Sequence, residues 1–195
     1  GLSEWHDARI SAALALGDEA QAQALRWKMF QKTVGQHYLR DYLKALPDFE
    51  DVEAEEKALT WVEEHANAHV ALAFLVKWPA LERAARMTMR RRSEIDGNAF
   101  YTLSPAADAL EAKYPLAAVL LRRALIEDTL KGAKSTRYKH AARHVLEIQS
   151  LDGQIGDYGP LETHAAFMER IREKHARKAG FWSQLASPIL RHSDA

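Results

Sequence analysis

Apolar residues recur along this chain at the spacing of one helix face, and no stretch shows the alternation of a half-buried strand. The pattern predicts helix almost from end to end, punctuated by sparse Gly and Pro. An opening helix runs to about Leu16, with Ser3 placed to cap it and Gly17-Asp18 to break it. A second helix sets Ala20, Ala24, Trp27 and Val34 on one face, and Gly35 separates it from a third carrying Tyr38, Leu39, Tyr42, Leu43 and Leu46. Pro47 stops that helix and Asp51 is placed to cap the next. Glu53, Glu55 and Glu56 sit in its first turns, where the helix dipole favours negative charge, and Ala54, Ala58, Leu59, Val62 and Ala66 form its stripe.

A short helix, "HVALAFLVKW", precedes Pro79, which opens a helix turning Leu81, Ala84, Ala85 and Thr88 inward. Ser104-Pro105 opens "AADALEAK". Pro115 opens "LAAVLLRRALIEDTL", whose apolar residues nearly surround the axis, so this helix should be central and covered on most sides. Ser135 is placed to cap a helix containing "RYKHAARHVLE", and "LDGQIGDYGP" is the longest irregular stretch. A last helix spans about Thr163 to Lys178, before "GFW" and a polar tail.

The fold class is therefore all-α, with about nine or ten helices joined by turns short enough to make neighbours antiparallel. We expect a stack of antiparallel hairpins in a tetratricopeptide-like right-handed solenoid, one helical-repeat domain across residues 1–195. Frequent alanine on the inward faces suits that close packing. The tetratricopeptide consensus itself is absent, and only "ALALGDEAQAQALRWKMF" approaches it, so the repeat is degenerate.

Composition adds mainly exclusions. Lys+Arg and Asp+Glu both number 27 in 195 residues, giving no net pull toward nucleic acid or an anionic membrane. The absence of cysteine removes disulfides, thiol catalysis and thiolate metal sites, and fits a reducing, cytoplasmic setting. No apolar run approaches the roughly 18 residues of a spanning helix, and no signal-peptide pattern opens the chain, so no membrane association is expected. The start, "GLSEWHDARI", lacks Met and enters a helical pattern at once; with Gly as a cleavage scar, it predicts a fragment of a longer protein.

Five segments together, "LPDFEDVEAEEKAL" (46–59), "ALAFLVKWPALERAARM" (71–87), "YPLAAVLLRRALIEDTL" (114–130), "RYKHAARHVLE" (137–147) and "HARKAGFW" (175–182), carry a resemblance. They resemble the C-terminal region of an uncharacterised bacterial family, a domain of unknown function whose members look like longer, almost wholly helical proteins with tetratricopeptide-like hairpins. The resemblance covers essentially the whole chain. It implies that the chain is a C-terminal fragment of a longer bacterial, cytoplasmic protein, and it supplies no activity, cofactor or site residue. A more distant likeness is to helical repeats attached to bacterial SWIM-type zinc-finger proteins; the cysteine-bearing finger is absent here.

Three groups of residues raise chemical questions. His140 and His144 stand one turn apart on a helix, a spacing at which two imidazoles reach one zinc ion. A zinc-peptidase helix reads H-E-x-x-H, whereas "HAARH" puts alanine where the catalytic glutamate belongs, so no metal site is expected. Tyr138, Ala141, Ala142 and Val145 project toward the core, leaving His140, His144 and Glu147 on the other side with Arg137 at its edge. Arg122 and Arg123 lie in the most apolar helix and need partners there; Glu127, four residues after Arg123, suits an internal ion pair, with an anion-binding pair the alternative.

Charge is segregated locally. Residues 48–64 hold Asp48, Glu50, Asp51, Glu53, Glu55, Glu56, Glu63 and Glu64 against Lys57, while Lys131, Lys134, Arg137, Lys139 and Arg143 form a run with no acid, and Arg86, Arg90, Arg91 and Arg92 a second basic cluster. The tryptophans Trp5, Trp27, Trp61, Trp78 and Trp182 fall near helix ends, where they would wedge hairpins together, and Phe181-Trp182 should fold back as a clasp. No phosphate-cradling glycine loop or nucleophile elbow is present.

These observations predict a non-catalytic protein–protein interaction module that takes a protein or peptide partner and needs no cofactor. The expected interaction surface is Arg137, Lys139, His140 and His144, with Arg90 and Arg91 second. The alternative is a nucleic-acid-associated helical repeat, and an enzyme or metal protein ranks third.

Overall fold

A computed structural model describes residues 1–132 and 134–187. Among them are eleven α-helices and no strand. They divide into two compact units, one of Gly1–Trp78 and one beginning at Pro79.

The first unit contains α1 (Leu2–Ala15), α2 (Glu19–Thr33), α3 (Gln36–Lys44), α4 (Glu50–Glu63) and α5 (Ala68–Lys77), each packed against the next in sequence. Gly17, at φ +75°, makes the first turn in a backbone region that only glycine enters cheaply, and Asp18 then caps α2 by accepting from Gln21 N–H. Ser3 caps nothing. It lies inside α1, and its hydroxyl lies 3.1 Å from that of Tyr38 on α3. The α2 face also differs from expectation: Ala22, Leu25, Met29 and Phe30 are buried, whereas Ala20 and Ala24 face solvent. The larger side chains win the core because they remove more apolar area from water. Likewise α4 is preceded by Phe49 in the left-handed region, and Asp51 bonds the next N–H, that of Val52, instead of capping.

The core of this unit is aromatic. Phe30, fully buried, meets Trp27, Trp61 and Phe74 at ring-centroid distances of 5.3, 5.2 and 5.8 Å. Trp78 stacks on Phe74 at 5.4 Å and donates its indole N–H to Glu55 at 2.6 Å. Trp5 departs from the expected packing role: it is 57% exposed.

The second unit contains α6 (Leu81–Arg90), α7 (Phe100–Leu110), α8 (Pro115–Lys131), α9 (Tyr138–Asp152), α10 (His164–His175) and α11 (Ala179–Ala186). As its sequence predicts, α8 starts at Pro115 and lies at the centre, against α6, α7 and α9. Pro105 does not open a helix; α7 begins at Phe100 and carries Pro105 inside. The proline removes one N–H, whose partner would be the carbonyl of Tyr101; both residues are exposed, so the cost is that of a solvent-facing and not a buried carbonyl. Ser135 begins a short 3-10 turn, Ser135–Arg137, which leads into α9 without a side-chain cap.

The segment read as "GFW" is an eleventh helix, one more than expected, because Phe181 is buried against Tyr138 and fixes α11 on α9. Trp182 Nε1 donates to the His175 carbonyl at 3.0 Å, completing the clasp. The end of the expected polar tail, residues 188–195, lies outside the described residues.

A basic cavity beside a buried arginine

The central helix α8 carries both features that build the candidate site. Its Arg122 is 1% exposed and would be unaffordable there without partners. It has them: Nη2 donates to Asp108 at 2.9 Å and Glu111 at 2.7 Å, and Nη1 lies 2.5 Å from Glu147. Asp108 and Glu111 come from the end of α7 and Glu147 from α9, so one guanidinium ties three helices together. Burial works against the charge on Arg122, but the hydrogen bond to Glu111 and the charges of Glu147 and Asp108 outweigh it and raise its pKa. Burial pushes the Glu147 carboxyl up, and the His144 hydrogen bond with the Arg122 charge more than reverses that, holding it below the usual range.

Arg123 behaves differently from its neighbour and from expectation. It makes no pair with Glu127. Its Nη1 donates to the Glu162 carbonyl at 2.8 Å, and its guanidinium lies over the Phe167 and Tyr158 rings at 4.6 and 5.3 Å. Desolvation lowers its pKa. Glu127, half-buried on the same helix, bridges instead to Arg170 of α10 at 2.5 Å, and Glu162 takes the other edge of that guanidinium. Helical spacing brought Arg123 and Glu127 within reach, but the rings beneath the 158–162 loop offered the arginine a more complete enclosure. A cavity of about 500 Å³ opens beside this cluster; on its lining Arg170 is paired with Glu127 and Glu162, whereas Nε and Nη2 of Arg123 are buried without a hydrogen-bond partner.

A second cavity, of about 300 Å³, has another character. Arg137, His140 and His144 line it from the start of α9, with Thr129 of α8 and Ser104 of α7. No carboxylate lines it. Phe100 forms an aromatic wall, over which the Arg137 guanidinium lies at 4.6 Å. The cavity exists because Gly97 lets the loop before α7 approach α8: a Cβ there would stand 2.0 Å from the Ala124 carbonyl oxygen.

The buried Arg122 reaches this cavity through His144. Arg122 Nη1 lies 3.1 Å from His144 Nδ1, and that ring nitrogen also lies 3.4 Å from Glu147 Oε2, so these two contacts hold the imidazole in place. They leave Nε2 as the ring nitrogen engaged by neither Arg122 nor Glu147. Thr129 is 6% exposed, and among the described residues its hydroxyl and Arg137's guanidinium have no hydrogen-bond or ion-pair partner.

Of the six side chains expected at an interaction surface, the fold brings Arg137, His140 and His144 to one cavity. Lys139 is exposed on α9 outside the lining. Arg90 is exposed at the end of α6, and Arg91, which caps that helix, holds Glu94 with two bonds of 2.8 and 2.7 Å. Thr129, Ser104 and Phe100 were not anticipated. Thr129 left a faint trace, a hydroxyl within an otherwise apolar helical run; the other two left none, since their relevance depends on how α7 meets α9. No group of three or more His, Asp or Glu among the described residues is arranged to hold a metal ion.

The fold and the cavity together define an all-helical protein with a carboxylate-free basic pocket on its central helix. The chain belongs to a family of unknown function, DUF6880, whose sequence profile matches residues 2–184. That agrees with the resemblance to an uncharacterised helical family. No curated protein and no solved structure matches the chain. No helix of the described residues is long and apolar enough to cross a membrane.

Proposed function

We propose that this protein is a non-catalytic interaction module of helical hairpins, tetratricopeptide-like in their local packing, that binds a partner protein through the face formed by the start of α9. The observation that carries the reading is the convergence of Arg137, His140 and His144 on one cavity that no carboxylate lines. Basic side chains already paired with acids have little left to offer a partner, whereas this group has donors to spare. Sequential packing of neighbouring helices in the first unit supports the hairpin reading. A bacterial, cytoplasmic setting goes with the proposal and rests on the sequence resemblance and the cysteine-free chain.

The test is a pull-down from bacterial extract with the wild-type chain and an Arg137→Glu variant as baits, each with and without nuclease. A protein retained by wild type after nuclease and lost by the variant supports the module. Retention that disappears with nuclease replaces it with the nucleic-acid reading. Equal retention by both baits, or none by either, overturns the assignment of this face.

A further inference from the structure

We infer that the 300 Å³ cavity between α7, α8 and the start of α9 is a receptor for a single carboxylate, presented by a peptide side chain or a peptide C-terminus. The inference rests on the interaction-module reading for the source of the ligand, but its chemistry stands on the cavity alone. Three observations converge. The lining holds one permanent cation, Arg137, and no carboxylate, so one negative charge is balanced there and a second is not. The lining's other polar groups can donate beside that cation: the His140 and His144 imidazoles and the hydroxyls of Thr129, Ser104 and Thr136. Thr129 is the sharpest of these, because the residue is 6% exposed, lines the cavity and spends its hydroxyl on no protein partner among the described residues, which leaves that hydroxyl to whatever fills the cavity.

The walls add a size limit. Phe100, Leu125 and Ala141 supply apolar wall, which suits a short methylene stem behind the carboxylate. A volume near the lower end of the range for ligand pockets fits a side chain or terminal residue better than a nucleotide. The guanidinium lies over the Phe100 ring, which restricts its rotation and leaves its edge to a planar oxyanion. The Arg122 cluster beneath acts as a positioning group: it lines no part of the cavity, but Arg122 and Glu147 hold the His144 ring through Nδ1.

The experiment is a titration of the whole chain, selectively labelled at histidine, followed by NMR at constant ionic strength. The probes are N-acetylglycine, N-acetylglycinamide, the side-chain acid N-acetylaspartate amide, and inorganic phosphate. We expect both carboxylates to shift the His140 and His144 signals saturably, with Kd of about 1 mM for so small a contact. The amide should shift neither. A preference for N-acetylglycine assigns the C-terminal source, and a preference for the aspartate derivative the side-chain source. Arg137→Gln should weaken binding about tenfold or more. Thr129→Val keeps the side-chain shape and removes the unpartnered hydroxyl, so it should weaken binding about two- to tenfold while the melting temperature holds or rises. That last pairing separates a binding group from a structural one.

Absence of saturable carboxylate shifts overturns the inference, as does tighter binding of phosphate, which would demand a site built for two charges. Carboxylate binding without any partner in the pull-down leaves the receptor and removes the module. A partner without carboxylate binding does the reverse.

Discussion

The two units solve the same packing problem with opposite materials. In Gly1–Trp78 the centre is a cluster of rings around Phe30, and most of the acids of α4 sit on the surface, with Glu63, 7% exposed, the buried one among them. In the unit that begins at Pro79 the central helix buries two adjacent arginines, one caged by carboxylates and one enclosed by aromatic faces. A ring core gains from the area it removes from water and is indifferent to acidity. A buried guanidinium gains little by itself, but it demands specific partners and so fixes which helices meet and in what register. The lesson is that the second unit has polar geometry built into its centre, and the basic cavity grows out of that geometry.

The comparison is testable because Trp5, Trp27, Trp61 and Trp78 all belong to the first unit, so tryptophan fluorescence reports mainly on it, while circular dichroism sees both. Phe30→Ala should have the largest effect, a loss of about 4 kcal/mol from the first unit, constant between neutral and mildly acidic pH. Arg122→Ala should cost the second unit about 3 kcal/mol near neutrality, since Asp108, Glu111 and Glu147 lose their counter-charge yet reach solvent. That loss should shrink in acid. Glu147 has a lowered pKa in the folded protein, so its contribution is present above the ordinary carboxylate range and disappears as pH falls through the folded value. Equal shifts of both optical signals by either variant, or a pH-independent Arg122 effect, would break the contrast.

Gly97→Ala comes next. With its Cβ 2.0 Å from the Ala124 oxygen, the loop must lift from α8, at a cost of about 2 kcal/mol by chemical denaturation. The same movement should reshape the basic cavity, so carboxylate binding must weaken with it; unchanged binding would mean that the loop does not shape the site. The smallest effect is a pH slope. Desolvation lowers the pKa of His164 and of His175, with nearby Arg and Lys charges acting in the same direction. The unfolded chain then binds more protons below the ordinary histidine value of 6.5, so stability is complete above that pH and declines below it. His164→Gln with His175→Gln should flatten the decline in the second unit's unfolding midpoint between pH 7 and 5, and a persistent slope would assign it to other groups.

Most of the helices were legible from local pattern, because a helix closes its own hydrogen bonds within a few residues. Pro115 at the start of α8, Gly17-Asp18 at the first turn and the buried circumference of α8 all follow from neighbours in sequence. Caps were less legible: Ser3, Asp51 and Ser135 have the right chemistry, but the helices begin at Leu2, Glu50 and Tyr138. Capping contributes only about 1 kcal/mol, so packing of Tyr38, Val62 or Tyr138 easily moves a boundary by a turn.

The site divides along the same line. That Arg137, His140 and His144 share one side of α9 is a property of helical period, and the sequence alone determined it. That Arg122 needed an ionic cage was likewise written in its apolar surroundings. Which carboxylates supply the cage, why Glu127 turns to Arg170, and how Thr129 and Phe100 come to face the α9 histidines were decided only when α7, α8 and α9 packed. Those contacts join residues far apart in the chain. Their partners are chosen by desolvation and shape at the moment the helices meet, and no local pattern encodes that choice.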